Sequence, residues 1–428
     1  MDPVKLLQVE EDIAELPQSS ALARFIPKMV PSIELTQIYP VRIFYAAVSP
    51  DCSYRLLSDT LKSAKSELLL YLYNLSAETL LNLLRDCKGR DVRMKVMFDA
   101  IGNREEERQK LEAMGVEIRE SPSTKDRKVF SGCHQNFVVI DQARVLIGSA
   151  NWTENAFPKI EIPGIFLKGN REWLLRVDDS GLARWFKGLF ETDWEIPEME
   201  SPEGMVRGPF SPTGPLMVPG LPDNAPEQIF DQEKFDLTNP AQVRPIISPD
   251  NYFDLAKSLI LNAAESIYIQ QQYIMAGGPK TRSLLEALES RKHELDIRII
   301  ASPVFGKKLK KDTWDLTCDS LDSFGLKENL RAHNLKYYTH CHNKGIIVDR
   351  KSVIVSSTSW SENSIAYSRE VGVLVHSTDI AGYFARVFDF DWEISWDPAA
   401  VPENLMNLIS DALFTPDGFD VIHPADLA

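Results

Sequence analysis

The sequence predicts an α/β fold of two tandem halves, each an α-β-α sandwich, related to each other by a pseudo-twofold axis. The first observation is a long internal repeat, in which CHQNFVVID from Cys133 recurs as CHNKGIIVD from Cys341. The second is the alternation of helix-like and apolar strand-like stretches in both halves, which is typical of layered α/β domains. The third is that the runs FVVI and GIIV lack polar residues, which indicates strands buried on both faces.

The other repeated segments occur in the same order in each half. Each Ser-Pro-Asp segment precedes a helix-like stretch and an apolar strand candidate, ELLLYLY from Glu67 or SIYIQQ from Ser266. The repeat distance falls from 208 residues at the CH segments to 198 at the Arg-Glu pairs, so the first half carries ten extra residues before Glu172. The repeated segments are Ser-Pro-Asp (49–51 and 248–250), Trp-x-Glu-Asn (152–155 and 360–363), Arg-Glu (171–172 and 369–370) and a closing Asp-Trp-Glu (193–195 and 391–393).

A proline-rich stretch separates the two halves. It includes GPFSPTGPLMVPGLPDNAP, a composition typical of an extended, irregular linker. The two ends of the chain have no counterpart in the other half, and we interpret them as accessory segments. The predicted organisation is an N-terminal accessory segment (1–45), a first half (46–197), a linker (198–244), a second half (245–396) and a C-terminal tail (397–428).

Composition is that of an ordinary globular protein. Hydrophobic residues make up 44% of the 428 residues and charged residues 25%, enough to bury a sizeable core. The net charge of −15 argues against nucleic-acid binding over the whole surface, although a local basic groove is compatible with it. No apolar run is long enough to cross a bilayer, so membrane contact is expected to be peripheral. The five cysteines form no C-x-x-C pair, which favours reduced thiols in a cytoplasmic protein.

Two histidines occupy equivalent positions in the repeat. Because alternate residues of a strand share a face, His342 and Lys344 are predicted to project together, as are His134 and Asn136. Two symmetry-related halves can bring these faces together in a pocket with two imidazoles and one ammonium. One histidine can then attack the phosphorus of a phosphodiester while the other protonates the leaving oxygen. No group of residues has the spacing of a metal site, so no cofactor is predicted.

Polar side chains near the two histidines complete the predicted site. Glu172 and Glu370 are placed to orient a histidine ring and to favour one tautomer, as a carboxylate does in a catalytic triad. Negative charge accumulates on the non-bridging phosphoryl oxygens, which need hydrogen-bond donors. The predicted donors are Lys344, Asn136, Ser149, Asn151, Ser357 and Ser359.

These motifs resemble the signature of the phospholipase D superfamily, H-x-K-x4-D followed by G-S-x-N. His342, Lys344 and Asp349 match the first motif in full, whereas the first half matches it at His134 and Asp141. The resemblance covers both halves and implies a metal-independent reaction through a phosphohistidine intermediate. It further implies that His134 is the nucleophile and His342 the acid, and that the two motif aspartates are structural.

The sequence departs from the family pattern in two places. Asn136 stands where the first motif expects lysine, which removes a cation from the phosphate site. Restoring it with Asn136→Lys is accordingly predicted to raise turnover of a generic phosphodiester. The G-S-x-N segment is present at 148–151, but residues 356–359 are SSTS, which replaces an amide donor with a shorter hydroxyl.

Three functions are compatible with these residues. The leading hypothesis is cleavage of a phospholipid headgroup by an enzyme of the phospholipase D type. The first alternative is a nuclease-like phosphodiesterase that grips DNA or RNA through two basic clusters near strand ends. The second alternative is a catalytically degenerate scaffold, supported by Asn136, and the oligomeric state stays open. The basic clusters are Lys125, Arg127 and Lys128 in the first half and Lys307, Lys308, Lys310 and Lys311 in the second.

Overall fold

The computed structural model describes most of both halves. The described residues are 34–99, 105–123, 129–159, 167–196, 216–217, 230–303 and 312–401. Both basic clusters, most of the ten-residue insertion and most of the predicted linker lie outside the described residues.

The first half alternates helices with apolar strands. Its helices turn one leucine-rich face inward, for example Leu56, Leu57 and Leu61 of the first helix, because residues three or four apart lie on the same side of a helix. The elements are β1 (Tyr39–Ser49), α1 (Ser53–Lys62), β2 (Glu67–Leu72), α2 (Glu78–Lys88), β3 (Arg93–Phe98), α3 (Glu105–Ala113), β4 (Glu117–Glu120), β5 (Phe137–Ile140), β6 (Arg144–Gly148), β7 (Leu167–Lys168), β8 (Asn170–Asp178) and α4 (Ser180–Glu195).

The second half repeats this order after the short strand β9 (Leu216–Met217), which pairs with β7. The closing helix begins alike in both halves, since the side chains of Asp179 and Ser377 accept from the backbone N–H three residues on. The elements are β10 (Glu233–Ser248), α5 (Tyr252–Leu261), β11 (Ser266–Gln271), α6 (Pro279–Arg291), β12 (Asp296–Ala301), α7 (Asp312–Ser323), β13 (Leu330–Ala332), β14 (His340–Cys341), β15 (Gly345–Val348), β16 (Ser352–Ser356), α8 (Glu362–Ala366), β17 (Glu370–His376) and α9 (Thr378–Ile394), with 3₁₀ turns at Lys327–Asn329 and Pro398–Ala400.

One large mixed sheet runs through both halves. Its strand order is the same when read inward from either edge, with β10 and β1 paired antiparallel at the centre. The order is β13-β12-β11-β15-β16-β17-β10-β1-β8-β6-β5-β2-β3-β4, with β14 paired to β8 off this path. The predicted duplicated α/β architecture with pseudo-twofold symmetry is confirmed. The strands β5 and β15, which contain FVVI and GIIV, are buried at every residue, as their composition predicted.

The central strands extend beyond the predicted domain boundaries. β1 begins at Tyr39, inside the segment assigned to the N-terminal accessory region, and β10 begins at Glu233, inside the segment assigned to the linker. The two strands pair with each other over this stretch, and the outer part of β10 alternates between exposed and partly buried residues. Such a polar, half-exposed ribbon lacks the apolar run by which the other strands were identified. No helix among the described residues is long and apolar enough to cross a membrane.

Candidate active site

The two motif histidines lie at the boundary between the halves. Each occupies the extended segment that leads into a buried strand, His134 before β5 and His342 before β15. The strand β14, just before His342, pairs in parallel with β8 of the first half. The backbone N–H of His342 donates to the carbonyl of Arg171, and that of His134 donates to the carbonyl of Arg369, both at 3.1 Å. Main-chain pairing therefore brings both histidines to the interface between the halves.

Each histidine is held by a glutamate of the opposite half. Nδ1 of His134 lies 3.2 Å from Oε1 of Glu370, and Nδ1 of His342 lies 2.8 Å from Oε1 of Glu172. Both glutamates are fully buried. A carboxylate at Nδ1 retains a proton on that nitrogen, so Nε2 is the atom that can attack or transfer a proton.

Serine hydroxyls hold these glutamates in place. Ser149 Oγ donates to Glu172 (2.6 Å), and Ser357 Oγ donates to Glu370 (2.7 Å). The sequence suggested phosphoryl oxygens as the acceptors for both hydroxyls, but in the structure the protons go to carboxylates, because a buried carboxylate must be hydrogen-bonded. Ser364, which the sequence did not single out, donates to Glu370 as well (2.7 Å).

The residue two positions after each histidine differs between the halves. Lys344 Nζ lies 2.8 Å from Nε2 and 3.1 Å from Nδ1 of His342. Asn136 donates from Nδ2 to Oδ1 of Asn151 (2.9 Å) and accepts at Oδ1 from the backbone N–H of Tyr73 (3.4 Å). The first half therefore has an amide pair where the second half has an ammonium against an imidazole.

The second half has no amide at the position equivalent to Asn151, because Ser359 stands there. Ser359 is buried, and its backbone N–H donates to the hydroxyl oxygen of Ser364 (3.1 Å). The two departures from the motif are thus linked, since Asn136 and Asn151 contact each other and both are replaced in the second half.

His134 is the more accessible of the two histidines. Its side chain is 14% exposed, whereas that of His342 is 1% exposed. The ring of Tyr73 packs edge-on against His134, with centroids 4.4 Å apart. His340 lies beside His342 with ring centroids 5.6 Å apart, and each of its ring nitrogens has a polar side-chain atom at 3.0 Å. Solvent therefore reaches this region from the side of His134.

Two buried arginines link the halves crosswise. Arg171 of β8 donates to Asp391 in the closing helix of the second half (2.9 Å). Arg369, the equivalent residue before β17, donates to Asp193 in the closing helix of the first half (2.8 Å). Because each arginine directly precedes one of the two glutamates, these ion pairs fix the backbone that presents the carboxylates.

Each arginine also binds an aspartate of its own half. Arg171 donates to Asp51 (2.6 Å) and Arg369 donates to Asp250 (2.9 Å). This network was not predicted from the sequence. All of its members lie in repeated segments, namely Ser-Pro-Asp, Arg-Glu and Asp-Trp-Glu, and that shared repetition is the signal that could have revealed it.

The motif aspartates lie in the turns that follow β5 and β15. The carboxylate of Asp141 accepts from the backbone N–H groups of residues 65–67, and that of Asp349 accepts from those of residues 264–266. Burial alone would raise the pKa of each carboxyl, but these hydrogen bonds outweigh burial and lower it. Both side chains therefore act on the local backbone.

The fold and the site together define a duplicated α/β protein with paired His–Glu contacts across its internal interface. A family model described as cardiolipin synthase, phospholipase D-like domain, matches residues 57–194 and 256–392, one segment in each half. The two segments cover more than half of the chain. The chain therefore belongs to the phospholipase D superfamily.

Similar proteins include mitochondrial cardiolipin hydrolase of Xenopus laevis, which is 29% identical over 150 residues. That match spans 34% of this chain and 62% of the relative, less than two thirds of its length. Phosphatidylserine synthase of Haemophilus influenzae Rd KW20 has a TM-score of 0.56 at 13% identity, over 95% of this chain and 97% of that one. Polyphosphate kinase of Porphyromonas gingivalis has a TM-score of 0.51 at 13% identity, over 82% and 47%. At these identities the two structures show a shared fold alone.

Among the described residues, no group of three or more histidine, cysteine or acidic side chains could hold a metal ion. The chemistry that the described side chains themselves offer is acid–base and nucleophilic, through two imidazoles with buried carboxylates at Nδ1.

Proposed function

We propose that the chain is a metal-independent phosphodiesterase that cleaves the headgroup ester of a phospholipid through a phosphohistidine intermediate. The observation that carries the proposal is the crosswise contact of His134 with Glu370 (3.2 Å) and of His342 with Glu172 (2.8 Å). Two imidazoles oriented from opposite halves supply the nucleophile and the proton donor that one phosphodiester requires.

The proposed reaction has two steps. First, Nε2 of one histidine attacks phosphorus, the P–O bond to the leaving alcohol breaks, and Nε2–H of the other histidine protonates the departing oxygen. Second, water or another alcohol gives its proton to that second histidine and attacks phosphorus, and the P–N bond breaks with its electron pair returning to Nε2. The buried glutamates stabilise each imidazolium as it forms. Lys344 and Asn151 are the proposed donors to the non-bridging oxygens.

Two observations favour a phospholipid over a nucleic acid as substrate. The matching family model and a similar protein of Xenopus laevis are both named for cardiolipin, a phospholipid. The net charge of −15 opposes the approach of a long polyanion. We further propose that the chain meets its substrate by peripheral contact with a membrane surface.

A release assay with EDTA present tests the proposal. Vesicles of phosphatidylglycerol, phosphatidylcholine or cardiolipin and a single-stranded DNA oligonucleotide would be incubated in parallel with the chain. The expected result is release of the headgroup alcohol, with phosphatidate or a transfer product, and an intact oligonucleotide. The variant with both His134→Ala and His342→Ala controls for contaminating activity.

Three outcomes would contradict the proposal. Turnover that EDTA abolishes and zinc or magnesium restores would replace the histidine mechanism with a metal-dependent one. Cleavage of the oligonucleotide in place of the lipid would support the nuclease, whose binding should weaken steeply with salt through counterion release. No cleavage of any phosphodiester would support the degenerate scaffold.

A further inference from the structure

The two halves place different charges beside otherwise equivalent histidines. Both imidazoles have a buried carboxylate at Nδ1, Glu370 for His134 and Glu172 for His342. The position two residues further on is the neutral Asn136 in the first half and the cationic Lys344 in the second. The two rings therefore have different charged neighbours.

We infer that His342 is the nucleophile and His134 is the proton donor. The residue beside each ring, Lys344 or Asn136, determines which role that histidine takes. The inference rests on the proposed function and reverses the assignment that family resemblance implies. An ammonium 2.8 Å from Nε2 disfavours a second positive charge on His342, which keeps that ring neutral. A neutral Nε2 has the lone pair that attack on phosphorus requires.

The other groups around each ring agree with this assignment. Glu370 from β17 and the ring of Tyr73, which follows β2, face His134, and a carboxylate favours the imidazolium form. Glu172 from β8, His340 from β14 and Lys344 face His342. The ammonium of Lys344 opposes the effect of Glu172.

The solvent exposure of the two histidines supports the same assignment. The side chain of His134 is 14% exposed and that of His342 is 1% exposed. Burial penalises the charged form of an imidazole, so the protonated ring is better tolerated at the accessible position.

The proposed reaction then has two steps. Lys344 transfers its hydrogen bond from Nε2 of His342 to a phosphoryl oxygen, and the freed lone pair attacks phosphorus. The P–O bond to the headgroup breaks, and Nε2–H of His134 protonates the leaving oxygen. His134 then takes a proton from water, whose oxygen attacks phosphorus and displaces Nε2 of His342.

This assignment also reverses the expectation for Asn136→Lys. A lysine there would put a positive charge beside His134 and disfavour its protonated form. It would also remove the amide that bonds to Asn151 (2.9 Å) and to the backbone N–H of Tyr73 (3.4 Å). We therefore expect Asn136→Lys to lower turnover at neutral pH.

A burst experiment separates the roles of the two histidines. The substrate is bis-p-nitrophenyl phosphate, whose leaving group departs without a proton donor. His134→Asn should release about one nitrophenolate per chain and then stall, because hydrolysis of the adduct on His342 needs His134 as base. His342→Asn should give no burst. A burst from His342→Asn and none from His134→Asn would overturn the inference.

Mapping the adduct in the unmodified chain avoids any effect of the substitutions on folding. The reaction is stopped in alkali, where phosphohistidine survives, and the labelled peptide is identified by mass spectrometry. Label on His342 is expected. Label on His134 would overturn the inference while leaving the proposed function intact. A chain that cleaves no phosphodiester at all would defeat the proposed function and this inference with it.

A pH–rate profile tests the role of position 136 itself. The rate on a substrate with a poor leaving group should fall on the alkaline side as the proton donor is lost. Asn136→Lys should move that alkaline limb to lower pH by about one unit or more, since a like charge disfavours the protonated ring. Asn136→Met is the control, because methionine is about as long as lysine but carries no charge. It should leave the alkaline limb in place. An unmoved limb in Asn136→Lys, or an equal shift in both variants, would contradict the inference.

Discussion

The two halves of the chain share their architecture and differ where they meet the substrate. Their strand orders match from either edge of the sheet, and each gives a glutamate to the histidine of the other. The first half pairs Asn136 with Asn151 (2.9 Å), whereas the second half places Lys344 against His342 (2.8 Å). The contacts between the halves are therefore symmetric, whereas the groups proposed to contact phosphate differ from one half to the other.

Packing at the interface is asymmetric as well. A Cβ atom on Gly345 would lie 2.3 Å from the ring of Trp173, so the large first-half residue fills the space above a second-half glycine. The second-half equivalent of Trp173 is Val371, and the first-half equivalent of Gly345 is Phe137. The first half therefore carries the larger residue at both positions. At this contact, two copies of the first half would bring two large side chains together, whereas two copies of the second half would bring two small ones together.

The largest effect is expected from the histidines. His134→Ala and His342→Ala should each lower turnover of a phospholipid by about 10²–10⁴-fold or more. Both the nucleophile and the acid are needed when the leaving group is an alkyl alcohol. Steady-state release of the headgroup alcohol measures it. If either variant kept most of its activity, the two halves would not cooperate in one site.

The next largest effect is on stability, at the crosswise arginines. Arg369→Met should lower the free energy of unfolding by about 3–5 kcal/mol, because it removes the guanidinium that pairs with the buried carboxylate of Asp193. Arg386→Met is the control, since its ion pair with Glu233 is as short (2.6 Å) but about half exposed, and should cost less than about 1 kcal/mol. Denaturant unfolding measures both, and equal losses would show that burial of the arginine pair is unimportant.

A smaller loss of stability is expected from adding a methyl group at the contact between Gly345 and Trp173. Gly345→Ala should cost about 1–3 kcal/mol, because the new methyl group overlaps the ring of Trp173. Gly188→Ala and Gly382→Ala are controls from the closing helices of the two halves, where an added Cβ meets nothing within 4 Å. In both controls stability should be unchanged or raised, since alanine favours a helix. A neutral Gly345→Ala would mean that Trp173 has room to move.

The smallest effect concerns the motif aspartates, which the two halves use alike. Asp349→Ala should cost about 1 kcal/mol at neutral pH through loss of hydrogen bonds to backbone N–H groups, and Asp141→Ala should cost a similar amount. The folded-state pKa of each carboxyl is lowered, so its contribution is present above the unfolded-state pKa and is lost as the pH falls through the folded-state pKa. A difference between wild type and variant that persists in strong acid would contradict this account.

The duplicated fold could be predicted because its evidence is local. The runs FVVI and GIIV, the Ser-Pro-Asp segments and the two CH segments are each visible as short patterns. The outer part of β10 could not be predicted in the same way, because a polar strand that pairs as an exposed ribbon resembles a linker in composition.

The site could be predicted only in part. The histidines followed from the repeat, but the exchange of Glu172 and Glu370 across the interface depends on how the two halves are oriented. The hydrogen bonds of Ser149 to Glu172 and of Ser357 to Glu370 lie within one half each, and they depend on the pairing of β6 with β8 and of β16 with β17. Ser364 has no equivalent serine in the first half, so the repeat gave no signal for it.

The central claim is that two halves build one phosphodiester-cleaving site, and counting the covalent intermediate tests it most directly. The unmodified chain would be mixed with an excess of phosphodiester labelled at phosphorus, stopped in alkali within the first turnover, and analysed for label per chain. The account predicts that the label does not exceed one per chain and lies on one histidine, His342. Two labels per chain, one each on His134 and His342, would show that each half has a site of its own and would contradict the account.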